Sequence, residues 1–422
     1  MVFLNKLKIG KDYFFTFLTE FMILVAGIVI YKLAALNFGN QGFSEYALCR
    51  RTISFIHPML LLGFAVGIPR YIAMHSHDGE KGIADNYFIC GTVISVSFSV
   101  LMLAVINAFS LPVSKLLFGS ENMERFIFPI SILILGLIIH SVCYSYFRGK
   151  LMMKKANFMQ FVNLGIIPLV IYFYDDVMLA LTVTGTACLA VSMFFLMVIF
   201  TGIRISFTDF RSHSRELFFY GIQRIPGDLA LAGFFALPAF IVSHQSGIII
   251  AGYIAFSISL LNMVGAAFGP FSLIMLPRSV QLIKSNDMAA LRKSTHTILK
   301  ITLLTTLAAL LIFETFSREI IFLYLGENFE ELVVCARIVM LATVGYSVYI
   351  CLRSVLDAAH YKAVNTKNMI LSFGVFILLS AAVYFTKSGY HMLLYAFVFS
   401  ISLLGFITFY ECRKIFKKVL QT

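Results

Sequence analysis

A chain of 422 residues that is 60% hydrophobic and 13% charged, with a mean hydropathy of +0.90, lies far from soluble domains, which run to about 45–50% apolar and about 25% charged. This excludes a soluble enzyme or a sizeable aqueous domain and leaves an all-α polytopic membrane protein, because a helix crosses the hydrocarbon core with about 20 apolar residues. The net charge of +12 is expected to come from Lys and Arg in cytoplasmic loops and not from a nucleic-acid surface. The seven cysteines stand singly in or beside apolar runs, with no CxxC or Cys/His spacing, and read as small apolar fillers without a metal or disulfide role.

The N-terminal MVFLNKLKIGKDYFF places Lys6, Lys8 and Lys11 before a long apolar run that no small-residue cleavage pattern follows, so the first span is expected to be retained. Uncharged apolar runs bounded by charge predict spans near 13–36, 44–66, 83–109, 126–147, 156–174 and 177–202. Six more follow near 217–242, 247–275, 295–316, 332–353, 367–386 and 390–411. Between Leu229 and Pro277 no Asp, Glu, Lys or Arg occurs, and Ser243-His244-Gln245-Ser246-Gly247 is the expected hairpin. With twelve spans, nearly all loop Lys and Arg fall on one side, and the opposite side keeps only Lys115, Arg125, Arg318 and Lys387. That asymmetry predicts both termini in the cytoplasm. Tryptophan is absent, which leaves tyrosines such as Tyr31, Tyr172, Tyr174, Tyr324 and Tyr390 as interfacial anchors.

The halves resemble each other. Pro69-Arg70 returns as Pro277-Arg278, LLFGSENMERF (116–126) as LYLGENFEELV (323–333), YFRGKLMMKKANFMQFVN (146–163) as LRSVLDAAHYKAVNTKNM (352–369), and Tyr46 as Tyr253, all offset by 205–208 residues. Six spans per repeat is an even number, so the repeats are parallel. The expectation is two six-helix bundles, 1–203 and 204–422, around a central cavity that holds substrate near the bilayer midplane.

Charge inside spans marks the candidate site. Arg50 and Arg51 lie in the second span, roughly 10 Å from its outer end at about 1.5 Å per residue. Either they snorkel to that surface or at least one faces the cavity, since neighbouring positions stand about 100° apart and cannot both turn the same way. Arg224 and Asp228 share i, i+4 spacing in the seventh span around Pro226 and Gly227. They form either an intrahelical ion pair or, on a loosened helix, a charged lining of the lumen. Glu20 in the first span stands 208 residues before Asp228, and the two carboxylates are candidates for coupling an ion or proton, the competing role being to neutralise arginines. His57 and His140 could relay protons or rest as hydrogen-bonded core side chains. No GxxxxGK[ST] loop and no nucleophile, base and orienter set is present, so neither ATP hydrolysis, nor another enzymatic activity, nor a cofactor is expected.

Glu45-Tyr46-Ala47, Gly67-Ile68-Pro69-Arg70-Tyr71-Ile72-Ala73, Arg148-Gly149-Lys150, Tyr220-Gly221-Ile222-Gln223-Arg224-Ile225-Pro226 and Leu276-Pro277-Arg278 resemble the multidrug, oligosaccharidyl-lipid and polysaccharide (MOP) exporter superfamily. Within it they resemble the bacterial O-antigen and polysaccharide repeat-unit flippases. The resemblance implies a V-shaped pair of six-helix bundles that moves an undecaprenyl-pyrophosphate-linked glycan across the inner membrane by alternating access. It would act as a monomer beside the glycan polymerase and ligase machinery. Arg50 or Arg51, with Arg224, would then bind the pyrophosphate through bidentate guanidinium bonds. The second-half counterparts of Arg50 and Arg51 are Ser257 and Ile258, so the cationic lining is lopsided. A cation-coupled drug antiporter of the same superfamily and a membrane-embedded glycan polymerase are the alternatives.

Overall fold

The computed structural model describes residues 11–75, 81–203, 209–326, 328–359 and 364–418. Lys6, Lys8, Arg204 and Lys362, which entered the orientation argument, lie outside these residues. Among the described residues every regular element is helical, as a bilayer requires of backbone that must satisfy its own hydrogen bonds.

The first element, α1 (Lys11–Leu61), is two helices joined at Gly39 (φ 60, ψ −171), and α9 (Ile225–Lys284) is two helices joined at Gly247 (φ 84, ψ 177). That backbone region is open essentially to glycine alone, which fixes where the chain can reverse. The expected hairpin at Ser243–Gly247 therefore turns at its last residue. Gly39 and Gly247 stand 208 residues apart, within the offset of the sequence repeat. A second pair of glycines with positive φ, Gly119 (φ 63) and Gly326 (φ 112), also recurs within the repeat offset.

The remaining elements are α2 (Phe64–Met74), α3 (Lys81–Ala108), α4 (Ser110–Phe118), α5 (Ile127–Gly149), α6 (Met153–Gln160), α7 (Val177–Gly202) and α8 (Phe210–Ile222). After α9 come α10 (Met288–Leu325), α11 (Glu330–Met340), α12 (Thr343–Ala359), α13 (Val364–Phe385) and α14 (Tyr390–Lys418). Nine helices among the described residues are long and apolar enough to cross a membrane, and α11 with α12, bent by 45°, makes a tenth. Two of the nine, Phe14–Leu61 and Ile225–Gly269, are 48 and 45 residues long, about 70 Å of helix at about 1.5 Å per residue, twice a bilayer core of about 30 Å. Counting each as two spans across its glycine break gives the twelve that the sequence predicts, and the protein is a multi-pass membrane protein.

The chain forms two compact units, Met1–Leu229 and Ala230–Thr422. In the first, α5 is the centre and packs on α7 through small residues: a Cβ added at Gly136 would stand 2.8 Å from the Leu189 backbone nitrogen. In the second, α12 meets α14 the same way, a Cβ at Gly405 reaching 2.3 Å from the Gly345 oxygen. Close backbone approach replaces the hydrophobic drive that is missing between helices in lipid. Where α5 runs unbroken, its counterpart in the second unit is the bent pair α11 and α12.

Gly247→Ala puts a Cβ into open space but onto a backbone that only glycine adopts, at a cost of about 1–3 kcal/mol. The expected outcome is a lower thermal unfolding midpoint for the purified chain. Gly389→Ala, also in open space but without positive φ, should leave the midpoint unchanged.

Candidate functional site

The first unit gathers three of the motifs around one break in the backbone. After α1 ends at Leu61, Leu62 (φ 53) and Gly63 (φ 71) turn left-handed before α2 begins. Against this turn lies the end of α8: a Cβ on Gly221 would stand 2.2 Å from the Leu62 oxygen, and one on Gly63 2.7 Å from the Gly221 oxygen. From the other side a Cβ on Gly149 would stand 2.7 Å from Ile72 Cβ and 3.1 Å from the Pro69 oxygen. Gly67–Ala73, Arg148-Gly149-Lys150 and Tyr220–Pro226 thus occupy one place, each glycine being where another backbone or a branched side chain comes close.

That packing delivers a cationic and aromatic cluster. The Arg70 guanidinium lies 4.7 Å from the centre of the Tyr220 ring and that of Arg224 4.8 Å from the same ring. Arg224 Nη2 also donates to the Tyr220 hydroxyl at 2.8 Å. Both arginines are exposed. Hydrogen bonding to Tyr220 pushes the Arg70 pKa further up, so its charge is fixed at any physiological pH. Tyr71 stands edge-on to Tyr220 at 5.8 Å and stacks on Tyr87 at 4.6 Å. Tyr87 donates its hydroxyl to Glu216 and has His75 and His213 against its ring at 5.5 and 4.4 Å. Beside them Lys150 pairs with Asp85 at 3.2 Å, with both side chains largely buried.

Arg50 and Arg51 sit elsewhere. The Arg50 guanidinium packs 5.3 Å from the Tyr31 ring and 5.9 Å from the Tyr46 ring, half-buried, while Arg51 is 4% exposed. Adjacent on the helix, the two do face different surroundings. Twelve residues of helix, about 18 Å at about 1.5 Å each, separate Arg50 from the break at Leu62 that supports Tyr220. The structure therefore brings Arg224 together with Arg70 and not with Arg50. Arg70, Tyr71, Tyr87, Glu216 and Tyr220 do not follow from the search for charge within spans. The signal for them is the repeated Pro-Arg pair and the density of aromatic residues flanking it.

The carboxylates are also apart. Asp228, exposed in the first turn of α9, has its N–H bonded to the Arg224 oxygen at 3.1 Å and so belongs to the cationic cluster. Glu20 accepts from Gln160 Nε2 at 3.0 Å. Gln160 is the middle of a row at i, i+3, i+6: Asn157 donates to Thr16 at 3.0 Å, and Asn163 Nδ2 donates to His140 Nδ1 at 2.9 Å and to Ser192 at 3.0 Å. The amide oxygens of Asn157, Gln160 and Asn163 are buried and accept no hydrogen bond from the described residues. Directly after Gln160 the helix widens into a π-helical turn, Phe161–Ile166, a feature frequent at functional sites. His140 is a hydrogen-bonded core histidine, and His57 bonds Ser141 at 3.0 Å. Among the described residues no cluster of His, Cys, Asp and Glu could hold a metal ion.

This long-helix fold in two repeats is shared with solved membrane transporters. Over 98% of this chain and 97% of the other, the structure matches an inward-facing multidrug resistance MATE family transporter of the MOP superfamily, with a TM-score of 0.66 and 16% identity. An outward-facing structure of such a transporter matches over 99% and 98% with a TM-score of 0.62 and 15% identity. A MOP superfamily transporter from Pyrococcus furiosus, described as having a binding pocket of reversed polarity that suggests a different function, matches over 98% and 97% with a TM-score of 0.61 and 16% identity. No curated protein matches in sequence. The family model described as polysaccharide biosynthesis protein matches residues 59–334. The chain belongs to that family and has the MOP transporter fold. The matched segment holds Arg70, Tyr220 and Arg224 and starts after Glu20, Arg50 and Arg51.

All seven native cysteines are buried, so a single introduced cysteine reports on its own site. Cysteines replacing Arg70 and Arg224 should react with a polar maleimide from the same side of sealed vesicles, whereas one replacing Arg51 should react at least about tenfold more slowly, because reactivity follows exposure.

Proposed function

We propose that this protein exports a polyprenyl-pyrophosphate-linked oligosaccharide, an O-antigen or related repeat unit, across the bacterial inner membrane by alternating access. The observation that carries the proposal is Arg70 and Arg224 both packed on the Tyr220 ring in a chain of the polysaccharide biosynthesis family. Two guanidinium groups suit a diphosphate, which each can bind through two parallel N–H···O bonds. The half-buried ring of Tyr71, backed by the buried Tyr87, offers an apolar face to a sugar ring. Exposed side chains on the side where loop Lys and Arg collect suit the step in which cargo is first taken up. Both termini would be cytoplasmic and the functional unit a monomer that hands its cargo to the polymerase and ligase machinery.

Arg50, with Tyr31 and Tyr46, serves in this reading as a second cationic stop for the diphosphate further along the path, and buried Arg51 supports it. Asp228 offsets the charge of Arg224 between cargoes. Glu20, joined to the amide row through Gln160, is the coupling group: a carboxylate and three amide oxygens are hard ligands that suit a proton carrier or a small cation. The fold shared with multidrug transporters makes a cation-coupled drug antiporter the second reading, which Glu20 would serve equally well.

In a strain that lacks its own exporter, Arg70→Ala and Arg224→Ala should each lower surface glycan display at least about tenfold, the loss of one charge-assisted bidentate contact, and Tyr220→Phe should cost less. Wild-type display by both alanine variants sinks the proposal, and resistance to cationic dyes without any glycan phenotype supports the antiporter instead.

Coupling has its own readout. Glu20→Gln should abolish the dependence of transport into inverted vesicles on imposed pH or sodium gradients. A gradient response that survives the substitution would remove Glu20 from that role.

A further inference from the structure

The second unit contains a pocket that the exporter reading does not use. It opens between the start of α10 and the end of α14, with a volume of about 300 Å³. Each helix contributes one face at i, i+3, i+4, i+7 spacing: Arg292, Thr295, His296 and Leu299 from α10, and Phe409, Cys412, Arg413 and Phe416 from α14. The helices run in opposite directions, so the two faces are graded the same way. Arg292, His296 and Arg413 stand at the mouth, where α10 begins and α14 ends. Leu299 and Leu352, part of the buried cluster with Met275, Val355 and Leu356, line the apolar part, and Phe409 flanks them from the exposed face of α14. A shallower groove of about 600 Å³ adjoins the mouth and shares Arg292, His296 and Phe416, adding Lys293.

The mouth is net cationic, with Asp287 the one carboxylate that lines the adjoining groove. Among the described residues neither Arg292 nor Arg413 makes an ion pair. The carboxylates nearby are engaged elsewhere: Asp287 accepts from the Ala290 N–H at 2.9 Å as the cap of α10, and Glu411 pairs with Lys414 at 2.9 Å. A charged mouth above an apolar throat fits an amphiphile with an anionic head, and a pocket of this size takes a phosphate headgroup with the first part of an acyl chain. Basic pockets between transmembrane helices on the face that carries the Lys and Arg excess attract the headgroups of anionic lipids.

We infer that the pocket between α10 and α14 binds an anionic glycerophospholipid of the surrounding bilayer, with the phosphate on Arg292 and Arg413, His296 beside it, and an acyl chain along Leu299, Leu352 and Phe409. This site would be separate from the cargo path and would tie the second unit to membrane composition.

Native mass spectrometry of the purified full-length chain, titrated with dioleoyl phosphatidylglycerol or dioleoyl phosphatidylcholine, tests it. Wild type should hold phosphatidylglycerol at least about tenfold more tightly than phosphatidylcholine, in line with two cations at a membrane surface. The exposed double substitution Arg292→Gln with Arg413→Gln should erase that preference, and Arg292→Lys with Arg413→Lys should keep it within about threefold. Arg318→Gln, at the far end of α10, should leave it unchanged. The inference is overturned if wild type shows no preference, a measurement that needs no variant to fold, or if the glutamine pair leaves it intact. Displacement of phosphatidylglycerol by inorganic phosphate or by a polyprenyl phosphate at matched concentration also overturns it, making the pocket a phosphate or cargo site.

Discussion

Two backbones touch where Leu62 and Gly63 leave the helix and Gly221 passes them, and the arrangement of the first unit follows from that contact. No side chain longer than hydrogen fits at Gly221 without displacing the Leu62 carbonyl, 2.2 Å from where a Cβ would be. Because the end of α8 is pinned there, Tyr220 and Arg224 on either side of Gly221 are pinned with it. Arg70, two turns into α2 from the same break, arrives at the same Tyr220 ring. The left-handed Leu62 is strain of the sort that packing must hold in place, and it lies at the base of the cationic cluster.

Tyrosine takes over the work that tryptophan often does in membranes. Arg50, Arg70, Arg148, Arg224 and Arg353 each lie over a tyrosine ring, within 6.0 Å of its centre. A ring face stabilises a guanidinium without cancelling its charge, so the cation stays available to an anion. A carboxylate partner does the opposite, and the pairs Arg125 with Glu45, Arg318 with Glu330 and Arg337 with Glu314 are of that second kind.

Much of the fold was legible in the sequence because bilayer physics leaves few choices. Apolar runs of span length, the Lys and Arg asymmetry and the repeat offset together give twelve helices, and Gly39 and Gly247 supply the turns. Pro69-Arg70 and the glycines of the other motifs were visible as patterns, but their meeting was not. Gly149 touches Pro69 across eighty residues and Gly221 touches Leu62 across about 160, and no helical periodicity reports a contact at that range. For the same reason the sequence does not show that Arg70, rather than Arg50, is the neighbour of Arg224. The amide row of Asn157, Gln160 and Asn163 was readable as one face of the fifth span. What that face meets, Glu20 and His140, depends on how α1 and α5 pack.

Gly39 and Gly247 are matched across the repeats, whereas the positions that correspond in the sequence repeat to Arg50 and Arg51 hold Ser257 and Ile258, both buried. A symmetric dimer of six-span subunits would carry every arginine in duplicate, because each subunit is a copy of the other. Joining the copies in one polypeptide lifts that obligation. Geometry can then remain doubled while chemistry becomes single, one half specialising in ligand contact and the other free to answer to a different molecule.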